Sequence, residues 1–303
     1  MQLGFVSAIL EDLLLDEVLE FAAGEGFDCV EVLCWPPGGP DRKYGGVTHL
    51  DVSDFTQAMA DDARALFDKH GVGPSALGYY SVPLSARQEQ AEAAVAHLYK
   101  VIDAAAMLGL STINSFVGAN QNLSMDDNFK LFEEVWPPIV RHAEERGVRI
   151  GIENCPMVYA PTWPFGLNLA HSPAVWRRMF EAIPSPNFGL NYDPSHLRMQ
   201  LMDPIAPIRE FGKRIFHTHA KDTRIDWHVL NDIGTLGPPM DKTTAKLPGL
   251  GDIDWAAWIG ALGDAGYDGP VCIEVEDEAY TGSLEKRKQS LRISRNLLRP
   301  LIG

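Results

Sequence analysis

Short apolar runs alternate with longer amphipathic ones along the whole chain. "LGFVSAI" is strand-like, and "LDEVLEFAAGEG" repeats its apolar positions at helical spacing before closing on Gly24 and Gly26. "CVEVLCW" reads as a second strand. "SDFTQAMADDARALFDKHG" reads as a helix that opens on a cap at Ser53 and ends at Gly71. The alternation continues through "PSALGYY", the long helix "SARQEQAEAAVAHLYKVIDAAAMLG" and the strand "TINSFVG". Next comes "SMDDNFKLFEEVWPPIVRHAEERG", a helix with a Pro-Pro pair inside or beside a break. The strands "RIGIENC", "NFGLNYD", "RIFHTHAKD" and "PVCIEVEDE" follow, separated by helical segments, and "SLEKRKQSLRISRNLLRPL" closes the series.

The pattern gives eight strand–helix units of about 38 residues each, the size of a βα unit. Regular alternation predicts a parallel sheet, and eight units predict its closure into a (βα)8 TIM barrel. An open doubly wound sheet is the fold alternative, but no GxGxxG follows the first strand. No linker or composition shift interrupts residues 1–303, so one domain is expected. The segment 223–253 is too long for an ordinary βα loop, and such loops at the C-terminal barrel face tend to be lids or substrate contacts.

Composition narrows the classes. With 46% hydrophobic residues, the chain can bury a large core. No apolar run of about 18 residues is present, so no membrane span is expected. "MQLGFVSAIL" lacks a basic leader region and reads as a first strand, not a signal peptide. Cys29, Cys34, Cys155 and Cys272 form no CxxC pair, which points to reduced thiols and a cytoplasmic protein. The net charge of −15 argues against a nucleic-acid partner.

Chemistry in a barrel of this kind sits where strands end. Strand five ends in "GIEN" with Glu153, and strand six in "NYDPSH" with Asp193 and His196. Strand seven ends in "HTHAKD" with His217 and His219, and strand eight in "CIEVED" with Glu274 and Glu276. Alternate residues of a strand face opposite sides. The bulky sets (Ile150 and Ile152; Leu190 and Tyr192; Val271, Ile273 and Val275) should pack under the helices. Glu153, Asp193, His219 and Glu274 should then point into the barrel mouth. Interior carboxylates repel and desolvate one another unless a cation joins them. This mostly oxygen set suits Mn²⁺ first, with Mg²⁺, Co²⁺ and Zn²⁺ compatible. His217 shares the parity of His219 but lies deeper, so it is either a neighbour of the site or a plain buried histidine. Glu276 reads as rim. Lys221 and Asp222 are either a surface ion pair or part of the site.

At these residues the chain resembles the xylose-isomerase-like TIM-barrel superfamily of sugar isomerases and epimerases. The motifs that carry the resemblance are "GIEN" (151–154), "NYDPSH" (191–196), "HTHAKD" (217–222), "GLGDIDW" (249–255) and "CIEVED" (272–277). The resemblance implies one divalent ion held by Glu153, Asp193, His219 and Glu274, with Glu153 and Glu274 also the acid/base pair. It implies substrate contacts from His196 and, near the end of strand seven, from Arg224. His217 and Lys221 are further candidates.

Metal-dependent apurinic endonucleases of the superfamily need histidines at the ends of strands three and four. "LGYYSV" and "INSFVG" hold none there.

A carbonyl polarised by a metal acidifies the adjacent C–H, and one glutamate can then remove the proton. Reprotonation gives epimerisation or isomerisation, whereas loss of a leaving group two carbons away gives β-elimination. The first expectation is therefore an isomerase or epimerase resembling ketose 3-epimerases, and the alternative is a lyase on 3-oxo-glycosides. A non-catalytic sugar-binding barrel is the third reading. Trp35, Tyr79, Tyr80, Phe116, Tyr159, Trp163 and Trp227 lie near predicted strand ends, where aromatics suit sugar faces. The loops 155–166 and 223–247 could form a lid. The partner expected is a small carbohydrate. A homo-oligomer or a partner subunit is left open.

Overall fold

In the computed structural model, which describes residues 1–38, 46–158 and 166–302, the predicted barrel closes. Its strands are β1 (Gln2–Val6), β2 (Cys29–Leu33), β3 (Gly73–Tyr79), β4 (Thr112–Ser115), β5 (Arg149–Glu153), β6 (Phe188–Tyr192) and β7 (Ile215–Ala220). Two further strands, β8 (Asp222–Ile225) and β9 (Thr243–Lys246), lie outside the barrel, and β10 (Pro270–Ile273) completes it. The order around the barrel is β1-β10-β7-β6-β5-β4-β3-β2, and every barrel pairing is parallel. Closure pairs β1 with β10 through Leu3 opposite Val271 and Phe5 opposite Ile273.

The parity argument holds in the packing. Ile150, Ile152, Leu190, Val271 and Ile273 are fully buried in the core. Trp136, Trp176 and Trp258 are also fully buried. Two of these indoles find a carbonyl: Trp136 Nε1 donates to Val117 O at 3.1 Å and Trp176 Nε1 to Ala170 O at 2.7 Å. Buried polar atoms of this kind carry a desolvation penalty that such bonds offset.

Three local expectations change in detail. The helix Gln57–His70 is capped by Thr56, whose hydroxyl accepts from Met59 N, three residues beyond the expected Ser53. It ends at Gly71 in the left-handed region, as the sequence indicates. Pro137 and Pro138 lie inside one continuous helix, Met125–Glu145, and do not break it. The segment after β7 is not a bare loop. It forms an antiparallel hairpin of β8 and β9 that encloses short helices at Trp227–Ile233 and Pro239–Lys242.

One aspartate anchors that hairpin. Asp222 is fully buried and accepts from Gly249 N at 2.9 Å, Ile253 N at 3.2 Å and Trp255 Nε1 at 2.8 Å. The "GLGDIDW" motif therefore wraps its backbone around this carboxylate. A Cβ at Gly251 would collide with Asp222 Oδ1, so only glycine fits there.

Candidate metal centre at the barrel mouth

The strand ends deliver their polar side chains to one place. Glu153 closes β5, Asp193 follows β6, His219 lies on β7, and Glu274 is the first residue after β10. Glu153 is 2% exposed, and Asp193 and His219 are fully buried. Ligand atoms of Glu153, Asp193, His196 and Glu274 all lie within 4.8 Å of one another. His219 Nδ1 reaches the same cluster, 3.3 Å from Glu274 Oε2 and 3.7 Å from Glu153 Oε1.

The backbone around the cluster is held by amide side chains that sequence reasoning did not single out. Asn154, next to Glu153 in "GIEN", bridges to β6: its Nδ2 donates to Asp193 O at 2.9 Å, and its Oδ1 accepts from Asp193 N at 2.8 Å. Asn168 Nδ2 donates to the carbonyls of Glu153 and Cys155. Its Oδ1 accepts from Val117 N and Gly118 N beyond β4. Asp193 Oδ1 accepts from Ser195 N at 2.7 Å, which leaves Oδ2 facing the cluster.

Lys221 is the cation within this group. It is 3% exposed, and its Nζ lies 2.6 Å from Glu274 Oε2, 3.2 Å from Asp193 Oδ2 and 3.2 Å from Glu276 Oε2. The reading of Lys221 and Asp222 as a surface ion pair is thus overturned. Adjacent residues of an extended chain face opposite ways, and here one enters the site while the other anchors the hairpin. Glu276 is drawn into the same contact and is more than rim.

The electrostatics favour ionised glutamates. Burial and the charge of Glu274 push Glu153 up, but the hydrogen bond with His196 and the neighbouring His219 ring outweigh them and hold it below the usual range. Burial also raises Glu274, and the charges of Lys221 and His219 more than reverse it. For Glu276, burial prevails and the pKa rises despite Lys221. Lys221 itself is lowered by burial and raised well above its ordinary value by Glu274 and Glu276.

The residues fit a divalent ion. His219 Nδ1 and Asp193 Oδ2 are buried with no hydrogen-bond partner, and both face the carboxylates of Glu153 and Glu274. Orphaned acceptors on a set of three clustered carboxylates are what a hard cation satisfies.

The other expected residues are distributed as follows. His196, on the short helix Ser195–Arg198, lies 3.0 Å from Glu153 Oε1 and 3.2 Å from Lys221 Nζ. His217 is buried below the cluster with Nδ1 3.0 Å from Asn191 Oδ1 and Nε2 3.0 Å from Ser75 Oγ, so both ring nitrogens are engaged. Arg224 is exposed on β8. Trp35 is in the hydrophobic core, packed edge-on against Tyr79 at 4.9 Å. Tyr159 and Trp163 lie outside the described residues. Beside the cluster, a cavity of about 240 Å³ is lined in part by Asn120, Asn128, Asn168, His171 and Gln200. Gln200 Nε2 donates to His196 O, so this cavity and the cluster share a wall.

The family described as "Xylose isomerase-like TIM barrel" matches residues 19–301, and the chain belongs to it. The uncharacterized protein YfiH of Bacillus subtilis (strain 168) is 27% identical over 91% of this chain and 93% of its own length. An inosose dehydratase of Clostridium tetani (strain Massachusetts / E88) is 26% identical over 50% of this chain and 51% of its own. Among solved structures, IolI protein with a bound zinc atom superposes with a TM-score of 0.73 at 20% identity, covering 99% of this chain and 98% of that one. A D-psicose 3-epimerase crystallised with D-fructose superposes at 0.68 and 17% identity over the full length of both. At these identities the structural likeness establishes the fold. No helix among the described residues is long and apolar enough to cross a membrane.

Proposed function

We propose that this chain is a divalent-metal-dependent isomerase or epimerase of a small carbohydrate, working by proton transfer beside a carbonyl. The observation that carries the reading is the pair Glu153 and Glu274. Glu153 is buried and Glu274 half-buried, and both are held ionised at one cluster with His219 Nδ1 and Asp193 Oδ2, which make no hydrogen bond. Glu153, Asp193, His219 and Glu274 would hold the ion, Mn²⁺ in the first instance. When bound, it supplies polarisation of the substrate carbonyl.

The remaining chemistry belongs to the chain. Glu153 and Glu274 come from opposite sides of the cluster, one from β5 and one from beyond β10. Either can take the proton from the carbon next to the carbonyl, and the other can return one to the opposite face. His196, bonded to Glu153, is placed to hold a substrate hydroxyl. The Lys221 ammonium faces the same space and favours negative charge growing on a substrate oxygen. Burial of Glu153, Asp193, His219 and Lys221 limits the water around the carbanion. The neighbouring cavity with its amide side chains has room for the part of the substrate that does not react.

A lyase reading has one observation in its favour, the half-length similarity to an inosose dehydratase. Both readings begin with the same proton removal. The test is a panel of ketoses and 3-oxo-glycosides with Mn²⁺ in deuterated water. Label at the carbon beside the carbonyl, with a new epimer or isomer, supports the proposal. Release of an aglycone assigns the lyase instead. The mechanism is wrong if Glu153→Gln and Glu274→Gln both keep full activity.

A further inference from the structure

A second buried carboxylate lies beneath the cluster, and the proposed reaction does not use it. Glu31 is fully buried in the middle of β2 and points into the barrel. Gly78 on β3 makes room for it, since a Cβ there would come within 2.6 Å of Glu31 Oε1. Glu31 Oε2 lies 2.7 Å from His219 Nε2, and Tyr80 OH donates to Oε1.

The proton positions follow from what each atom is able to do. His219 Nε2 also lies 3.0 Å from Asn191 Nδ2 and 3.1 Å from Tyr80 OH, but its shortest contact is the Glu31 carboxylate at 2.7 Å, which only accepts, so this nitrogen carries a hydrogen. In a neutral imidazole the lone pair is then on Nδ1, the orphaned atom that faces Glu153 and Glu274. The partners of Glu31 are fixed in turn. Asn191 Nδ2 donates to Tyr80 OH at 3.0 Å, and Asn191 Oδ1 accepts from His217 Nδ1 at 3.0 Å. Ser75 Oγ donates to His217 Nε2 at 3.0 Å. Every ring nitrogen of His217 is thereby used. This argues against reading Glu31, His217 and His219 as a second ion site, although they lie close enough for one.

We infer that Glu31, held by Tyr80, is a positioning residue that fixes His219 with its proton on Nε2 and its lone pair on Nδ1, directed at the metal centre. The inference rests on the reading of His219 as a metal ligand. A carboxylate behind a ligating histidine orients the ring and raises its basicity, and loss of such a partner typically weakens metal binding by about 10–100-fold.

The experiment is a titration of the full-length chain with Mn²⁺ against a fluorescent chelator, in wild type, Glu31→Gln, Tyr80→Phe and His219→Ala. Melting of the metal-free proteins by circular dichroism accompanies it. The expectation is about one ion per wild-type chain, loss of that site in His219→Ala, and about 10–100-fold weaker binding in folded Glu31→Gln. Tyr80→Phe should weaken binding about 2–10-fold, because it removes one of the hydrogen bonds on Glu31. In zinc-loaded protein with ¹⁵N-labelled histidine, His219 should show its ring proton on Nε2. A purely structural Glu31 would lower melting and leave the affinity of the folded protein unchanged, which overturns the inference. If Glu31→Gln does not fold, Tyr80→Phe decides: wild-type affinity overturns the inference and weaker binding supports it. Should wild type take up no ion, or His219→Ala bind as well as wild type, the metal reading itself fails. If those two controls behave as expected and Glu31→Gln still binds like wild type, the positioning role alone fails.

Discussion

The barrel interior holds two polar layers, and they differ in how they are satisfied. In the lower layer, Glu31, His217, Asn191, Tyr80 and Ser75 are bonded to one another. In the upper layer, Asp193 Oδ2 and His219 Nδ1 lack hydrogen-bond partners, and Asp193, Glu274 and Glu276 share the single lysine Lys221. Each layer is mostly buried with a partly exposed member, Ser75 and Tyr80 in the lower and Glu274 in the upper, so exposure does not distinguish them. What differs is whether the buried groups complete one another. A satisfied network specifies structure, and an unsatisfied one asks for a ligand.

The largest effect that would break this contrast is on chemistry. Glu153→Gln and Glu274→Gln keep the shape of the upper layer and remove its bases. Each should lower the rate of deuterium exchange into substrate by about 10²–10⁴-fold. A loss of similar size from a lower-layer change that leaves metal affinity intact would show that the two layers are not separable by function.

The contrast also shows what the sequence could reveal. The upper layer was legible because four strands end in carboxylate or imidazole at matching parity, and strand parity needs no knowledge of the partner strand. Glu31 was not. It sits within "CVEVLCW" with Cys29 and Leu33 on its face, and a single charge in an apolar strand gives no sign of what it meets. Its partner His219 is 188 residues away and arrives only when the barrel closes. Lys221 and Asp222 are neighbours in sequence, and their different fates depend on β7 ending at Ala220 and β8 starting at Asp222. The hairpin of β8 and β9 lies in the long segment 223–253, whose sequence indicates a lid or substrate contact but no strand pairing. Its anchor is the contact between Asp222 and residues 249–255, which no local pattern announces. The eight barrel strands, by contrast, rest on local periodicity, and all of them formed.

In the lower layer the expected cost is stability. Asn191→Ala strands His217 Nδ1 and removes a donor to Tyr80 OH, and each buried group left unsatisfied costs about 1–3 kcal/mol. Urea denaturation of the metal-free protein measures this as a lowered midpoint with an unchanged slope. An unchanged midpoint would mean that the lower layer does not hold the fold.

Lys221 sharpens the comparison from the other side. Its ammonium and a divalent ion draw on the same oxygens of Glu274 and Asp193. Lys221→Met should therefore raise Mn²⁺ affinity by about tenfold, the order expected when one nearby like charge is removed from a partly screened site. The same variant should lose activity, since the ammonium faces the reacting group. Weaker Mn²⁺ binding in the chelator titration would show that the lysine organises the ligands and does not compete for them.

The smallest effect concerns Asn114, which does not follow the pattern of the lower layer. It is fully buried on β4, and neither its Oδ1 nor its Nδ2 has a hydrogen-bond partner. A Cβ on Gly151 would come within 2.5 Å of its Oδ1, so the amide fills space that the facing glycine leaves open. Removing a polar group that makes no bond relieves its desolvation penalty, while the lost volume leaves a small cavity. These terms oppose each other, so Asn114→Ala should change stability by less than about 1 kcal/mol, well below Asn191→Ala. The two variants delete the same side chain on strands β4 and β6, and differ mainly in whether that side chain was bonded. Equal urea midpoints for the pair would show that hydrogen-bond satisfaction does not set the stability of this interior. A cost for Asn114 above that of Asn191 would identify Asn114 as a group held by a buried water or a bound ligand, and would move it from the lower layer to the upper one.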